Sequence, residues 1–265
     1  MAGFDPRDEG GRRLHRMDQL AGVAGVGPDL GDNGIAGKSL HPICGKPLVQ
    51  WVVESVKRAR LLDEVIVATD DVRIAWAVNS FVKVAMTRED HPSGTDRVAE
   101  AAQPQDDDIV INIQGDEPLI NPDLIDALAL RMKTDTGWAM ATAACPIRNM
   151  RDLEARTVVK VVLAQDGGAL YFSRLPIPCR RDGESDLSSG LYLRHLGIYA
   201  YRGAFLKRLV QEKPCALEKT ESLEQLRALY IGGRIAVIQT EELGVGVDTP
   251  EDVAVVEAII RKQTI

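Results

Sequence analysis

Aromatic residues are scarce, at 5% of 265 residues, and the four cysteines (Cys44, Cys145, Cys179 and Cys215) each stand more than 30 residues from the next. No pair has the close spacing of a zinc knuckle or a redox C-x-x-C, so the thiols read as small hydrophobes of a reducing compartment. No apolar run approaches the roughly 18 residues of a membrane-spanning helix, and the N-terminus has no apolar core of a secretory signal. The expectation is a cytoplasmic protein with no membrane partner. Lys and Arg form no run, and the net charge is −7 with a pI near 5.2. That excludes the basic footprint of a nucleic-acid binder. An acidic chain can still hold a polyphosphate through a few placed cations, a metal ion and backbone N–H groups.

The 45% of hydrophobic residues fall into an alternating pattern, and the length suits one large α/β domain with a smaller appended unit. Pro47 precedes an amphipathic helix at 48–56. Val65–Thr69 and Ile109–Ile113 read as buried parallel strands, with a weaker one at Val82–Ala85. Helices are expected near 72–80, over Leu124–Met132, over Glu218–Leu229 and over Val253–Ile260. Val158–Leu163 and Ala169–Phe172 flank Asp166-Gly167-Gly168 as a hairpin, and Leu196–Tyr201 and Ile235–Gln239 are later strands. Such alternation predicts a doubly wound sheet whose ligands sit beyond the carboxyl ends of the strands. The clusters Asp70-Asp71, 91–97 and 114–117 lie at such ends. Upstream, residues 1–33 are glycine-rich and weakly periodic. Ala21–Val26, with two glycines in six residues, is a poor strand.

Seven strings carry a more specific signal: Gly37-Lys38-Ser39-Leu40, 91–97 (HPSGTDR), 114–118 (QGDEP), 171–174 (YFSR), 194–199 (RHLGIY), 223–227 (LEQLR) and 246–252 (GVDTPED). In this order and spacing, from about residue 35 to the C-terminus, the chain resembles the 3-deoxy-manno-octulosonate (KDO) cytidylyltransferase family. The resemblance implies a Rossmann-like, mostly parallel sheet of the nucleotide-diphospho-sugar transferase type. It also implies a smaller antiparallel subdomain, at about 155–202, serving sugar binding and dimerisation, all within a single domain over 34–265. It implies transfer of CMP from CTP to the anomeric hydroxyl of an acidic 3-deoxy sugar, with release of pyrophosphate, by a homodimer that supplies lipopolysaccharide synthesis.

The same resemblance assigns the residues. Asp116 and Asp248 would hold Mg²⁺, since one or two carboxylates plus phosphate oxygens and waters complete its octahedron. The competing reading makes each a helix cap. Lys38 would contact the phosphates of CTP, or stand as a solvated lysine. Ser93, Gly94 and Arg97 would face the nucleotide, while Ser93 could equally cap a helix. Gln114, Arg174, His195, Tyr199, Glu221 and Gln225 would hold the acidic sugar, with Arg174 suited to its carboxylate. His195 and Tyr199, four apart on a strand, and Glu221 and Gln225, four apart on a helix, would each share a face. Simple strand packing is the alternative for the first pair.

The resemblance fails at its start. The family opens with a strand and a P-A-R-x-x-S-x-R loop, whereas Asp29 and Gly34 stand here where arginines are expected. A carboxylate in place of a phosphate-binding cation would weaken CTP binding by about 2–5 kcal/mol. Residues 1–33 are therefore expected to be an irregular segment replacing the first strand and phosphate loop. The alternative function is a catalytically impaired homologue that binds sugar acid without turnover.

Overall fold

The computed structural model describes residues 20–26, 35 and 37–263. In chain order, β1 (Leu20–Val26) is followed by a short hairpin, β2 (Pro42–Ile43) and β3 (Lys46–Pro47). Next come α1 (Leu48–Val56), β4 (Glu64–Thr69), α2 (Val72–Val78), β5 (Lys83–Met86), α3 (Gly94–Ala102) and β6 (Ile109–Gln114). Then follow α4 (Pro122–Thr134), β7 (Met140–Pro146), α5 (Met150–Glu154), β8 (Lys160–Leu163), β9 (Ala169–Ser173) and β10 (Leu193–Arg202). The chain ends with α6 (Gly203–Gln211), α7 (Ala216–Glu221), α8 (Gln225–Tyr230), β11 (Ile235–Gln239) and α9 (Pro250–Gln263).

The main sheet has the order β11-β7-β10-β6-β1-β4-β5, and only β10 runs antiparallel to its neighbours along it. The doubly wound, mostly parallel sheet expected from the sequence is present. On one face, α1, α4 and α9 bury Leu48, Val52, Ile125, Leu128, Val256 and Ile260. On the other, α3, α6 and α8 bury Val98, Leu206, Leu209 and Leu226. Each fully buried aliphatic side chain of this kind contributes about 1.5–3 kcal/mol.

The first strand departs from expectation. Ala21–Val26 does not read as a strand, yet Leu20–Val26 forms the middle of the sheet. It pairs in parallel with β4 from Ala21↔Glu64 to Val26↔Thr69, and with β6 from Leu20↔Ile109 to Gly25↔Gln114. Glycine weakens a strand when propensity decides. Here two β-branched neighbours each offer a full ladder of backbone donors and acceptors, and an unfilled slot would strand those groups in the core. The remaining residues of the supposedly irregular segment, and the 27–34 loop with Asp29 and Gly34, lie outside the described residues.

Two further departures bear on the site. The helix expected over Glu218–Leu229 is two short ones. Ser222, at φ 53°, takes the left-handed conformation and ends α7, and α8 starts at Gln225. Glu221 and Gln225 therefore do not share one helical face. The β8–β9 hairpin is seated as predicted, but β10 extends back to Leu193, and its first residues pair with β8 through Leu193↔Val161 and Arg194↔Lys160.

Candidate active site

β6 ends at Gln114, with α3 packed on one side of the sheet and α4 beginning beyond the following loop. Because β10 is antiparallel to β6 and joins it at Tyr199↔Asn112, residues 193–196 overhang the carboxyl end of β6. They form a wall above it. The register on β7 slips between Leu196 and Tyr199, where two extra residues, Gly197 and Ile198, bulge out. This keeps His195 and Tyr199 in phase across the bulge: their rings are 5.4 Å apart. The same-face expectation holds, although through a bulge rather than simple alternation.

At the centre stands Lys38. Its Nζ donates to Asp116 Oδ2 and to Asp248 Oδ1, at 2.9 Å each. Three elements deliver these groups. Gly37, in the left-handed conformation at φ 64°, turns the chain so that Lys38 opens a single 3-10 turn, a geometry glycine adopts without strain. Asp116 lies in the loop after β6. Asp248 lies in the loop before α9, and Val247 N donates to Asp116 O at 2.9 Å, clipping the two loops together. The capping readings fail for both aspartates. Asp252 and Thr249 cap α9, with Asp252 Oδ2 accepting from the backbone N–H groups of Asp248 and Thr249. Asp116 makes its side-chain bond to Lys38. Burial alone would lower the pKa of Lys38, but the charges and hydrogen bonds of the two aspartates outweigh it and hold the ammonium above its ordinary range.

Two carboxylates on one ammonium are a donor set that a divalent cation fits. Both are hard oxygen ligands, and one or two carboxylates are what Mg²⁺ takes from protein when phosphates and waters supply the rest. Among the described residues no third Asp, Glu, His or Cys completes a protein-only cluster.

Two adjoining cavities flank Gln114. One, of about 270 Å³, holds Asp116, Glu117, Arg194, His195 and Asp248 in its lining. The other, of about 250 Å³, is bordered by Gly94, Thr95, Asn112, Tyr199, Tyr201 and Gln225. The expected sugar residues Gln114, His195, Tyr199 and Gln225 are thus brought together. Gln225 is 5% exposed and its amide nitrogen has no hydrogen-bond partner among the described residues, which marks a buried donor awaiting an acceptor. The His195 ring is held by Thr142, whose Oγ1 is 3.0 Å from Nε2. The single Thr142 proton faces the carbonyls of Ile198 at 2.8 Å and Leu196 at 3.2 Å, an arrangement that suits a ring protonated at Nε2 with Nδ1 as acceptor. Burial pushes the pKa of His195 down to about 3, and the ring is a neutral hydrogen-bonding group. Desolvation likewise drives Tyr199 well above its ordinary range.

Other expected residues are placed differently. Arg97 is 4% exposed and committed to a buried pair with Asp70 at 2.8 Å and to Thr87 Oγ1 at 2.6 Å. It braces α3 against the ends of β4 and β5 rather than opening onto either cavity. Ser93 caps α3, accepting from Asp96 N, and Gly94, the first helical residue, borders the second cavity. Arg174 and Glu221 form a latch. Glu221 accepts from Ser173 Oγ and Arg174 N, while the Arg174 guanidinium donates to the carbonyls of Glu221, Arg156 and Ser222. The guanidinium expected to meet the sugar carboxylate is occupied with backbone oxygens. Neither residue lines the described cavities.

Glu117 and Arg194 stand in the motif strings without an assignment, and both line the first cavity. Desolvation and the neighbouring Asp116 charge raise the pKa of Glu117 to about 7, only partly countered by Arg194.

A mostly parallel sheet with its cavities at the carboxyl ends, at the point where strand order reverses about β1, places the chain in the class of doubly wound α/β proteins that bind their ligands at a topological switch point. A family described as Cytidylyltransferase matches residues 30–237. A 3-deoxy-manno-octulosonate cytidylyltransferase of Bdellovibrio bacteriovorus is 46% identical over 244 residues, covering 91% of this chain and 98% of that one. One from Pelobacter propionicus is 49% identical over 224 residues, covering 82% and 88%. Among solved structures, CMP:2-keto-3-deoxy-manno-octonic acid synthetase complexed with CTP superposes with a TM-score of 0.85 at 39% identity, covering 93% of this chain and all of that one. A 4-diphosphocytidyl-2C-methyl-D-erythritol synthase, at TM-score 0.61 and 13% identity, shares the fold. The chain belongs to the 3-deoxy-manno-octulosonate cytidylyltransferase family. The first match covers more of the chain than residues 35–265 could supply, so the similarity reaches upstream into the region of β1. Nothing in these relatives supports the alternative of a homologue without turnover.

Proposed function

We propose that this chain transfers CMP from CTP to the anomeric hydroxyl of 3-deoxy-manno-octulosonate. The hydroxyl oxygen bonds to the α-phosphorus, the bond from that phosphorus to the β-phosphate oxygen breaks, pyrophosphate leaves, and the hydroxyl proton passes to solvent. The observation that carries this reading is the Asp116–Lys38–Asp248 constellation at the edge of a cavity shared with His195, in a chain that matches KDO cytidylyltransferases along nearly its whole length.

Mg²⁺ would be held by Asp116 and Asp248 and would neutralise phosphate charge. Lys38 neutralises the same two carboxylates in its place. When they are otherwise satisfied, its ammonium is free to meet the phosphates at the transferring group. Gln114, His195, Tyr199 and Gln225 would hold the sugar, the neutral His195 accepting from a hydroxyl and the buried Gln225 amide donating to one. Arg174 and Glu221 would act on the sugar through the latch that fixes the start of the α7–α8 segment. Ser93 and Gly94 would border the nucleotide, and Arg97 would position them by anchoring α3. Such transfer needs placement and electrostatics more than a strong base.

A homodimer is proposed on the exposed Leu170, Leu175 and Leu191 of the 155–202 unit, apolar side chains that a second copy would cover. Lipopolysaccharide synthesis in the cytoplasm is the setting the family resemblance carries. No helix among the described residues is long and apolar enough to cross a membrane.

The test is pyrophosphate release with CTP, Mg²⁺ and the sugar acid, each omitted in turn. Release that requires all three, and that falls at least about 100-fold in Asp116→Asn, is expected. Release without the sugar, or undiminished release in Asp116→Asn, would refute the assignment.

A further inference from the structure

Among the buried polar groups of the sheet, Thr142 stands apart by what it touches. It sits in the middle of β7 with no exposed surface, its backbone paired with Tyr199 of β10 and Val237 of β11. A hydroxyl taken out of water at such a place is costly unless it is hydrogen-bonded. Its Oγ1 has three polar neighbours: Ile198 O at 2.8 Å, His195 Nε2 at 3.0 Å and Leu196 O at 3.2 Å. All three belong to the bulged stretch of β10. Gly197 and Ile198 are the extra residues there, and the threonine hydroxyl meets the two carbonyls that flank Gly197.

Proton counting sets the direction of these bonds. The carbonyls can only accept, and the hydroxyl has one proton and two lone pairs. Were Nε2 unprotonated, that one proton would face three acceptors. With the ring proton on Nε2, this nitrogen donates to Oγ1 and the hydroxyl proton is left for the carbonyls. The ring is neutral, so its other nitrogen is an acceptor. Neighbouring rings limit its rotation. Phe172 meets it edge-on, with centroids 5.0 Å apart at 79°, and Tyr199 lies at 5.4 Å. Nδ1 has no hydrogen-bond partner among the described residues, and His195 lines the first cavity.

Resting on the transfer reaction proposed above, with His195 on the sugar side, we infer that Thr142 is a positioning residue: it holds the His195 proton on Nε2 and so presents Nδ1 to the first cavity as an acceptor for a substrate hydroxyl. Selectivity follows from the proton. An acceptor at that place takes a hydroxyl and gains nothing from an ether or carbonyl oxygen, neither of which brings a proton.

The proton's place is read by ¹⁵N NMR of the histidine side chains in the full chain. There are four histidines, and the His195 signals are those missing from His195→Gln. Wild type should show a protonated Nε2 and an unprotonated Nδ1. Thr142→Val keeps the side-chain shape and removes the hydroxyl, and its His195 ring should lose that single form. KM for the sugar acid should then rise roughly 3- to 10-fold, the loss of one hydrogen bond, with KM for CTP within about twofold of wild type. Thr142→Ser should restore both the tautomer and the KM. Melting temperatures report folding, and the wild-type spectrum decides the proton's place even if Thr142→Val fails to fold. A wild-type ring protonated at Nδ1 would overturn the inference. So would the wild-type tautomer persisting in Thr142→Val, an unchanged KM for the sugar acid there, or a rise shared equally with CTP. Wild-type protein with the expected tautomer that fails to use the sugar acid would instead refute the transfer reaction.

Discussion

At the scale of single residues, one ammonium between two carboxylates organises the site. Lys38 bridges the two carboxylates proposed to hold a divalent cation, so under that proposal ammonium and cation would compete. In Lys38→Met the aspartates repel each other without relief, and added Mg²⁺ should raise the melting temperature more than it does in wild type. Asp116→Asn should abolish that response. A melting temperature indifferent to Mg²⁺ in all three proteins would contradict a metal role for the pair. His195 makes a separate prediction. Its pKa in the folded protein, about 3, lies below the unfolded value near 6.5. The unfolded chain therefore binds the extra proton between those limits, and stability that is full above about pH 6.5 drains as pH falls toward 3. His195→Gln should flatten that part of the melting-temperature profile, read by calorimetry from pH 7 to 4. The resemblance carried by the motif strings singled out Lys38, Asp116, Asp248, His195 and Gln225, and the fold gathers them at the carboxyl ends of the strands. The strings could not disclose that Arg97 and Arg174 are occupied, since that depends on which carboxylate or carbonyl the fold brings alongside.

At the scale of elements, periodicity exposed strands built of Val and Ile, such as β4 and β6, and helices with a clear apolar stripe, such as α1. It failed where composition was neutral. β7, Met-Ala-Thr-Ala-Ala-Cys-Pro, has little β-branched character and takes its conformation from β10 and β11 on either side. α6 begins on glycine, which hides its start. Gly203 is there because a Cβ would lie 1.9 Å from Gln105 O, a backbone atom with no freedom to retreat. Gly203→Ala should cost about 2–3 kcal/mol, measured by urea unfolding, and a neutral substitution would show that the α6 start is looser than described. The latch is the other element-level device. Glu221→Ala leaves Ser173 Oγ and Arg174 N without their acceptor, at a cost of about 1–3 kcal/mol. By releasing the α7–α8 turn it should raise KM for the sugar more than KM for CTP.

At the scale of the whole molecule, the site lies where strand order reverses about β1, and the least strand-like segment of the sequence holds the middle of the sheet. No local pattern could report this, because the pairing partners of β1 lie about 40 and 90 residues away. Its glycines do not prevent it from completing the ladders on both sides. The antiparallel β10 then reaches past the end of β6 and carries Arg194 and His195 over the cavity. One strand thereby brings its side chains to the cavity that the Asp116 and Asp248 loops border.

The most direct measurement follows the oxygen. With the sugar acid labelled by ¹⁸O at its anomeric hydroxyl and transferred promptly before exchange with water, ³¹P NMR of the product should show the isotope shift on the CMP phosphorus. The released pyrophosphate should remain unlabelled. Unlabelled CMP-sugar, with the isotope recovered in water, would mean that the sugar's carbon–oxygen bond had broken instead, and attack by the anomeric hydroxyl on the α-phosphorus would be wrong.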